Sequence, residues 1–93
     1  MHATLQPASS RSGKKYTVRI GERHISFGMN GASDFTMHKD PLRKRAYIQR
    51  HSKREDWSNP LTAGFWSRWL LWNKPTIEAS KRDIKKRFGI RFD

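Results

Sequence analysis

Hydrophobic and polar residues first alternate in KYTVRI (15–20), with Tyr16, Val18 and Ile20 on one side and Lys15, Thr17 and Arg19 on the other. This is the period of a strand. After Gly21-Glu22 the alternation resumes in RHISFGM (23–29), with Ile25 and Phe27 sharing a face. Two short alternating runs joined through a glycine turn predict a β-hairpin. A lone hairpin is marginal in water, so its apolar face needs a packing partner. NGASD (30–34) reads as a loop and DFTMH (34–38) as a candidate third strand.

The period then changes. Asp40 suits an N-cap and Pro41 the first helical position, which predicts a helix through LRKRAYIQRHSKRE (42–55). Its apolar positions are few: Leu42, Ala46, Tyr47 and Ile48. Asn59-Pro60 breaks the chain again. From Thr62, a candidate N-cap, a helix over 62–73 carries Phe65, Trp69 and Trp72 at i, i+4 and i+7, with Trp66 and Leu70 beside them and only Ser67 and Arg68 polar. A helix that is apolar nearly all round is a buried one. Its aromatics therefore read as core, with Trp57 or Trp72 at the edge, rather than as a base-stacking platform, which needs exposed rings with basic neighbours. A last helix, IEASKRDIKKRF (77–88), has Ile77, Ile84 and Phe88 as its stripe and stops at Gly89. Ile90 and Phe92 are placed to fold back onto the core.

The prediction is an α+β domain. A β-hairpin, or a three-stranded meander, packs against three helices with the aromatic helix 62–73 at the centre. Residues 1–13, rich in Ser and poor in large apolar groups, read as a flexible basic arm, and 14–93 as a single globular domain.

Composition adds what the pattern leaves open. Twenty Lys and Arg against eight Asp and Glu leave a formal charge of +12 on 93 residues, enough to attract polyanions. With no cysteine there is neither a disulfide nor a thiolate metal site. The N-terminus MHATLQPASSRSGKK lacks the apolar stretch of a signal peptide, so a secreted protein is not expected. No run reaches the roughly 18 apolar residues of a membrane span, so no membrane partner is expected either.

The charge is concentrated. Residues 38–54 hold seven Lys and Arg against one acid, Asp40, and residues 81–91 hold six against Asp83. Arginine forks clamp phosphates, and lysines add point charges. The candidate nucleic-acid-binding residues are Arg43, Lys44, Arg45, Arg50, Lys53 and Arg54 in the first run and Lys81, Arg82, Lys85, Lys86 and Arg87 in the second. No zinc-finger, RRM or helix-turn-helix signature supplies base readout, so the expectation is nucleic acid, DNA first, bound without sequence preference. The rival is a structural module, a minor capsid or scaffold component, whose basic shell and aromatic edge dock on another protein. Catalysis is not expected. His38 and His51 with Asp40, Glu55 and Asp56 lack ligand spacing such as HExxH, helix capping explains Asp40, and there is no glycine-rich phosphate loop, so neither metal nor cofactor is anticipated.

The pieces HKDP, RKRAYIQRH, TAGFWSRWLLWNKP and ASKRDI, spread over 38–88, resemble a family of small uncharacterised basic proteins encoded by large DNA viruses of eukaryotes. The resemblance implies a virion or an infected host cell as the setting. It assigns no residue a role.

Overall fold

In the computed structural model, which covers residues 1–93, three strands come first: β1 (His2–Pro7), β2 (Lys14–Ile20) and β3 (Arg23–Met29). The helices α1 (Phe35–His38), α2 (Pro41–His51) and α3 (Ala63–Trp66) follow. The chain then runs on from α3 through a π-helical turn, Ser67–Leu71, to α4 (Ile77–Phe88) and β4 (Arg91–Phe92). The sheet has the order β3-β2-β1-β4, antiparallel except for the β1–β4 pair. The class is α+β, as the patterns predict.

The β2–β3 hairpin has the predicted register. Ile20 pairs with Arg23 across Gly21-Glu22, and Val18 with Ile25. Gly21 takes φ 59° at the first turn position, where glycine meets no steric cost. One face of the sheet, carrying Ala3, Val18 and Phe27, is sealed by Phe65, Trp66, Leu70 and Leu71 from the aromatic segment and by Ile84 and Ile90 from the C-terminal end.

Two expectations are corrected. Residues 1–13 are not a free arm. Residues 2–7 form β1, between β2 and β4, with Ala3 1% exposed in the core. The alternation that makes this possible, Ala3 and Leu5 against His2, Thr4 and Gln6, is present in the sequence but holds only two modest apolar side chains. What fixes the strand is remote. Leu5 pairs with Val18, while the amides of Arg91 and Asp93 donate to the carbonyls of Met1 and Ala3. The Asp93 carboxylate also meets His2 Nδ1 at 3.1 Å and accepts from Thr4 Oγ1 at 3.3 Å.

The candidate third strand at 34–38 is instead the short helix α1. Asp34 is its N-cap, accepting from the Thr36 amide, and Lys15 Nζ reaches the other carboxylate oxygen at 2.5 Å. Asp34 is 2% exposed, and this full set of donors is what lets a carboxylate sit there.

The helical boundaries follow caps. Asp40 caps α2 and Pro41 opens it, Thr62 caps α3, and Thr76 caps α4, which ends at Gly89 with φ 69°. The segment 62–73 is shorter than predicted, and its register shifts. The Trp72 amide donates to Ser67 five residues back, so the chain widens by one residue through the π-turn. As a result Phe65, Trp66, Leu70 and Leu71 are buried, while Trp69 and Trp72 are only half-buried.

Placing a charge at Ala3 tests whether the first strand belongs to the core. Ala3→Asp is expected to cost roughly 3–5 kcal/mol, as an unpaired buried charge does. Arg11→Asp, in the exposed turn after β1, should cost almost nothing. Chemical denaturation followed by circular dichroism checks both, and a mild Ala3→Asp would return the segment to an arm.

Candidate nucleic-acid interface

α2 carries Arg43, Lys44, Arg45 and Arg50 but buries a single side chain, Tyr47. That ring is the attachment of the helix. It stacks on Trp72 with centroids 4.5 Å apart and planes 2° from parallel, and on His51 at 4.3 Å. Aromatic pairs of this kind add about 0.5–1.5 kcal/mol beyond the area they bury. Burial, and next the Glu55 carboxylate, push the Tyr47 phenol well above its ordinary pKa, so it stays neutral.

Past α2 the chain turns, and helix gives way to side-chain ties. His51 Nδ1 meets Glu55 Oε1 at 3.0 Å, and Trp57 Nε1 donates to Glu55 Oε2 at 2.9 Å. Glu55 lies against the start of α3, where a Cβ on Gly64 would come within 2.8 Å of its carboxylate. Glycine is thus what allows the α2–α3 connection to close.

α2 buries only the Tyr47 ring, and a gap lies between it and the sheet. The gap is a groove of about 670 Å³. Its floor includes Phe27, Leu71, Tyr47 and Trp72, and its walls carry the small side chains Ala46, Ala63 and Ser67. Lys14, Arg43 and Arg50 line it without a carboxylate partner. The two acids that line it, Asp34 and Glu55, are already engaged by Lys15 and His51.

On the far side of Tyr47, residues 72–74 gather a second set of groups. Lys44 Nζ donates to the Asn73 carbonyl at 2.6 Å and lies 5.0 Å from the Phe35 ring centroid. Arg68 donates to the Trp72 carbonyl at 2.9 Å with its guanidinium over Trp69 and Trp57. Asp83 accepts from the Asn73 amide at 2.7 Å and from Arg87 Nε at 2.8 Å. Burial lowers the pKa of Lys44, and Arg68 and Lys74 lower it further. At Asp83 burial opposes ionisation, but the hydrogen bonds from Asn73 and Arg87 outweigh it and hold the carboxyl below its usual range.

The sequence candidates therefore divide. Arg43 and Arg50 line the groove, and Arg45, Lys53 and Arg54 are exposed beside it. Lys44 is occupied as a structural donor. On α4, Arg82, Lys85 and Lys86 are exposed without ionic partners. Lys81 lies 3.7 Å from Glu78 and over Phe92, and Arg87 is bound to Asp83 and stacked on Trp69. Lys14 and Lys15 were missed. They open the first strand of the hairpin, and only the tertiary fold brings them opposite α2. Of the histidines and acids weighed for catalysis, His51 and Glu55 meet beside the groove, while Asp40 caps α2, its amide donates to His38 Nδ1, and Asp56 accepts from Ser58.

Fold and surface define a small, strongly basic α+β domain with one cationic groove beside a loosely attached helix. The model of a family of unknown function (DUF5754) matches residues 4–51, just over half of the chain, and the chain belongs to that family. The match runs from β1 through α2 and so covers the sheet side of the groove and its α2 wall. No curated protein and no solved structure matches. No helix is long and apolar enough to cross a membrane.

Tyr47→Ala should cost about 3–5 kcal/mol, the range for removing a buried aromatic. Tyr47→Phe, which keeps the stack, should cost under about 1.5 kcal/mol. Urea unfolding with near-UV circular dichroism separates the two. Asp83 has a folded pKa below the unfolded value near 3.9, so its contribution to stability is complete above that value and disappears as pH falls through the folded one. Asp83→Asn should be less stable at neutral pH and show a shallower loss of stability on acidification below about pH 4, measurable as Tm against pH.

Proposed function

We propose that this is a non-enzymatic nucleic-acid-binding protein that contacts phosphates through the exposed faces of α2 and α4. One observation carries the reading. Of the twenty Lys and Arg, only Lys15, Lys81 and Arg87 have a carboxylate within ion-pairing distance. The charge is not consumed within the fold. It stays at the surface, where Arg43, Arg45, Arg50, Lys53 and Arg54 follow one helix and the turn after it, and Arg82, Lys85 and Lys86 follow another. Such a surface is costly for the isolated protein through self-repulsion and is relieved by a polyanion. DNA bound without sequence preference fits, because long cations on helix faces reach phosphates and no base-reading motif accompanies them. Compaction or tethering of a genome, in the viral setting that the resemblance implies, belongs to the same proposal.

The docking alternative, a capsid or scaffold module, has a narrower basis. The large apolar side chains that are well exposed are Met1, Met29, Met37, Leu42 and Leu61, and none is aromatic. The tryptophans serve the interior: Trp66 is buried, and Trp69 is covered by Arg68 and Arg87.

Binding of a short labelled duplex, followed by anisotropy at several salt concentrations, is the test. Affinity should fall steeply with salt, by about 0.9 in log–log slope for each phosphate neutralised. The double variant Arg43→Glu, Arg50→Glu should fold normally and reduce that slope by about two. No binding at low salt, or a slope indifferent to these reversals, would sink the proposal.

A further inference from the structure

We infer that the groove between α2 and the sheet is a seat for an unpaired nucleic-acid strand, so that the protein distinguishes single from double strands. The inference rests on the phosphate-binding reading above and adds which form of the polymer is taken and where.

The cations of the groove have the spacing of a strand. Arg43 and Arg50 are seven residues apart on α2, about 10.5 Å along the axis at 1.5 Å per residue. A stacked strand advances roughly 3.4 Å per nucleotide, so the two forks lie about three phosphates apart. Lys14 lines the same groove without a carboxylate partner, Asp34 is paired with Lys15, and Glu55 is held by hydrogen-bond contacts with His51 and Trp57. Lys14, Lys15, Arg43 and Arg50 line it against Asp34 and Glu55, so cations outnumber acids.

The walls suit a slender occupant. Between the arginines α2 presents Ala46, and the facing segment presents Ala63, Gly64 and Ser67. No large side chain fills the gap, so a sugar–phosphate backbone can come close.

The floor separates strand from duplex. A duplex keeps its bases paired and stacked, so it turns no base toward the apolar floor and leaves it empty. An unpaired strand can turn a base inward. The indole N–H groups of Trp57, Trp66 and Trp69 donate to Glu55, Pro60 and Trp57, whereas that of Trp72 has no acceptor in the protein and is not sealed from solvent. It is a free donor on a residue that lines the groove. Tyr47 and His38 already lie against the Trp72 ring, so a base meets Trp72 through its edge and not by stacking.

The test uses the full chain, ¹⁵N-labelled, titrated with an oligothymidylate of roughly eight nucleotides, within the site sizes common for such binders. A duplex and an oligoglutamate of equal charge serve as comparators. The Trp72 indole resonance, assigned with Trp72→Phe, should move with the oligothymidylate and stay put with the duplex. Ala46→Trp and Ala63→Trp fill the groove from opposite walls and remove no cation. Each should weaken single-strand binding roughly tenfold, about 1.4 kcal/mol, and change duplex binding by less than about twofold. Two variants guard against one misfolding, and their spectra report it.

Duplex binding with the expected salt slope, joined to an unmoved Trp72 signal and indifferent groove variants, would overturn this inference alone. Absence of any nucleic-acid binding would overturn both readings. Equal competition by oligoglutamate would replace the strand with an acidic peptide.

Discussion

One aromatic stack determines how this protein displays its charge. Tyr47, stacked on Trp72, is the only side chain buried by α2, a helix with four Lys and Arg. The stack is worth little more than its area and quadrupole, yet it sets the distance between α2 and the sheet and so creates the groove. Trp72 can receive it because the π-turn pushes that residue out of the core while Leu70 and Leu71 take the buried positions.

Four of the eight acids serve the same end. Asp34 joins β2 to α1, Glu55 joins the end of α2 to Trp57 in the turn that follows, Asp83 joins residues 72–74 to α4, and Asp93 joins the two chain ends. Each carboxylate holds at least two side-chain or backbone donors at a junction between elements. That use leaves Arg43, Arg45 and Arg50 on α2 and Arg82, Lys85 and Lys86 on α4 without an ionic partner. Stability and surface potential thus come from one distribution: acids at the seams, uncompensated bases outside. A chain with the same net charge but its acids scattered over the helices would be better screened and would lack this field.

Much of the fold was legible locally. The hairpin follows from period-two alternation and a glycine turn. The helix starts follow from Asp40-Pro41, Thr62 and Thr76, and the last helix end from Gly89, because caps act over three or four residues. β1 was not legible, since Ala3 and Leu5 make too weak a pattern and its β4 partners, Arg91 and Phe92, lie at the other end of the chain. DFTMH read as a strand because its side-chain pattern fits either state, and the Asp34 cap with Lys15 behind it decides for helix.

The candidate interface shows the same division. Sequence alone determined that two helices would be basic and that the aromatic segment would be mostly core, because charge density and helical period are properties of neighbouring residues. It could not determine which cations are free. Lys44 and Arg87 look no different from Arg43 and Arg82 in the chain, yet Asn73 and Asp83 occupy the first two and leave the others open. Nor could it bring Lys14 into one groove with Arg43 and Arg50. Those outcomes depend on where the π-turn places Trp72 and on which strand borders the gap, and contacts between residues dozens of positions apart are settled only when the whole core closes.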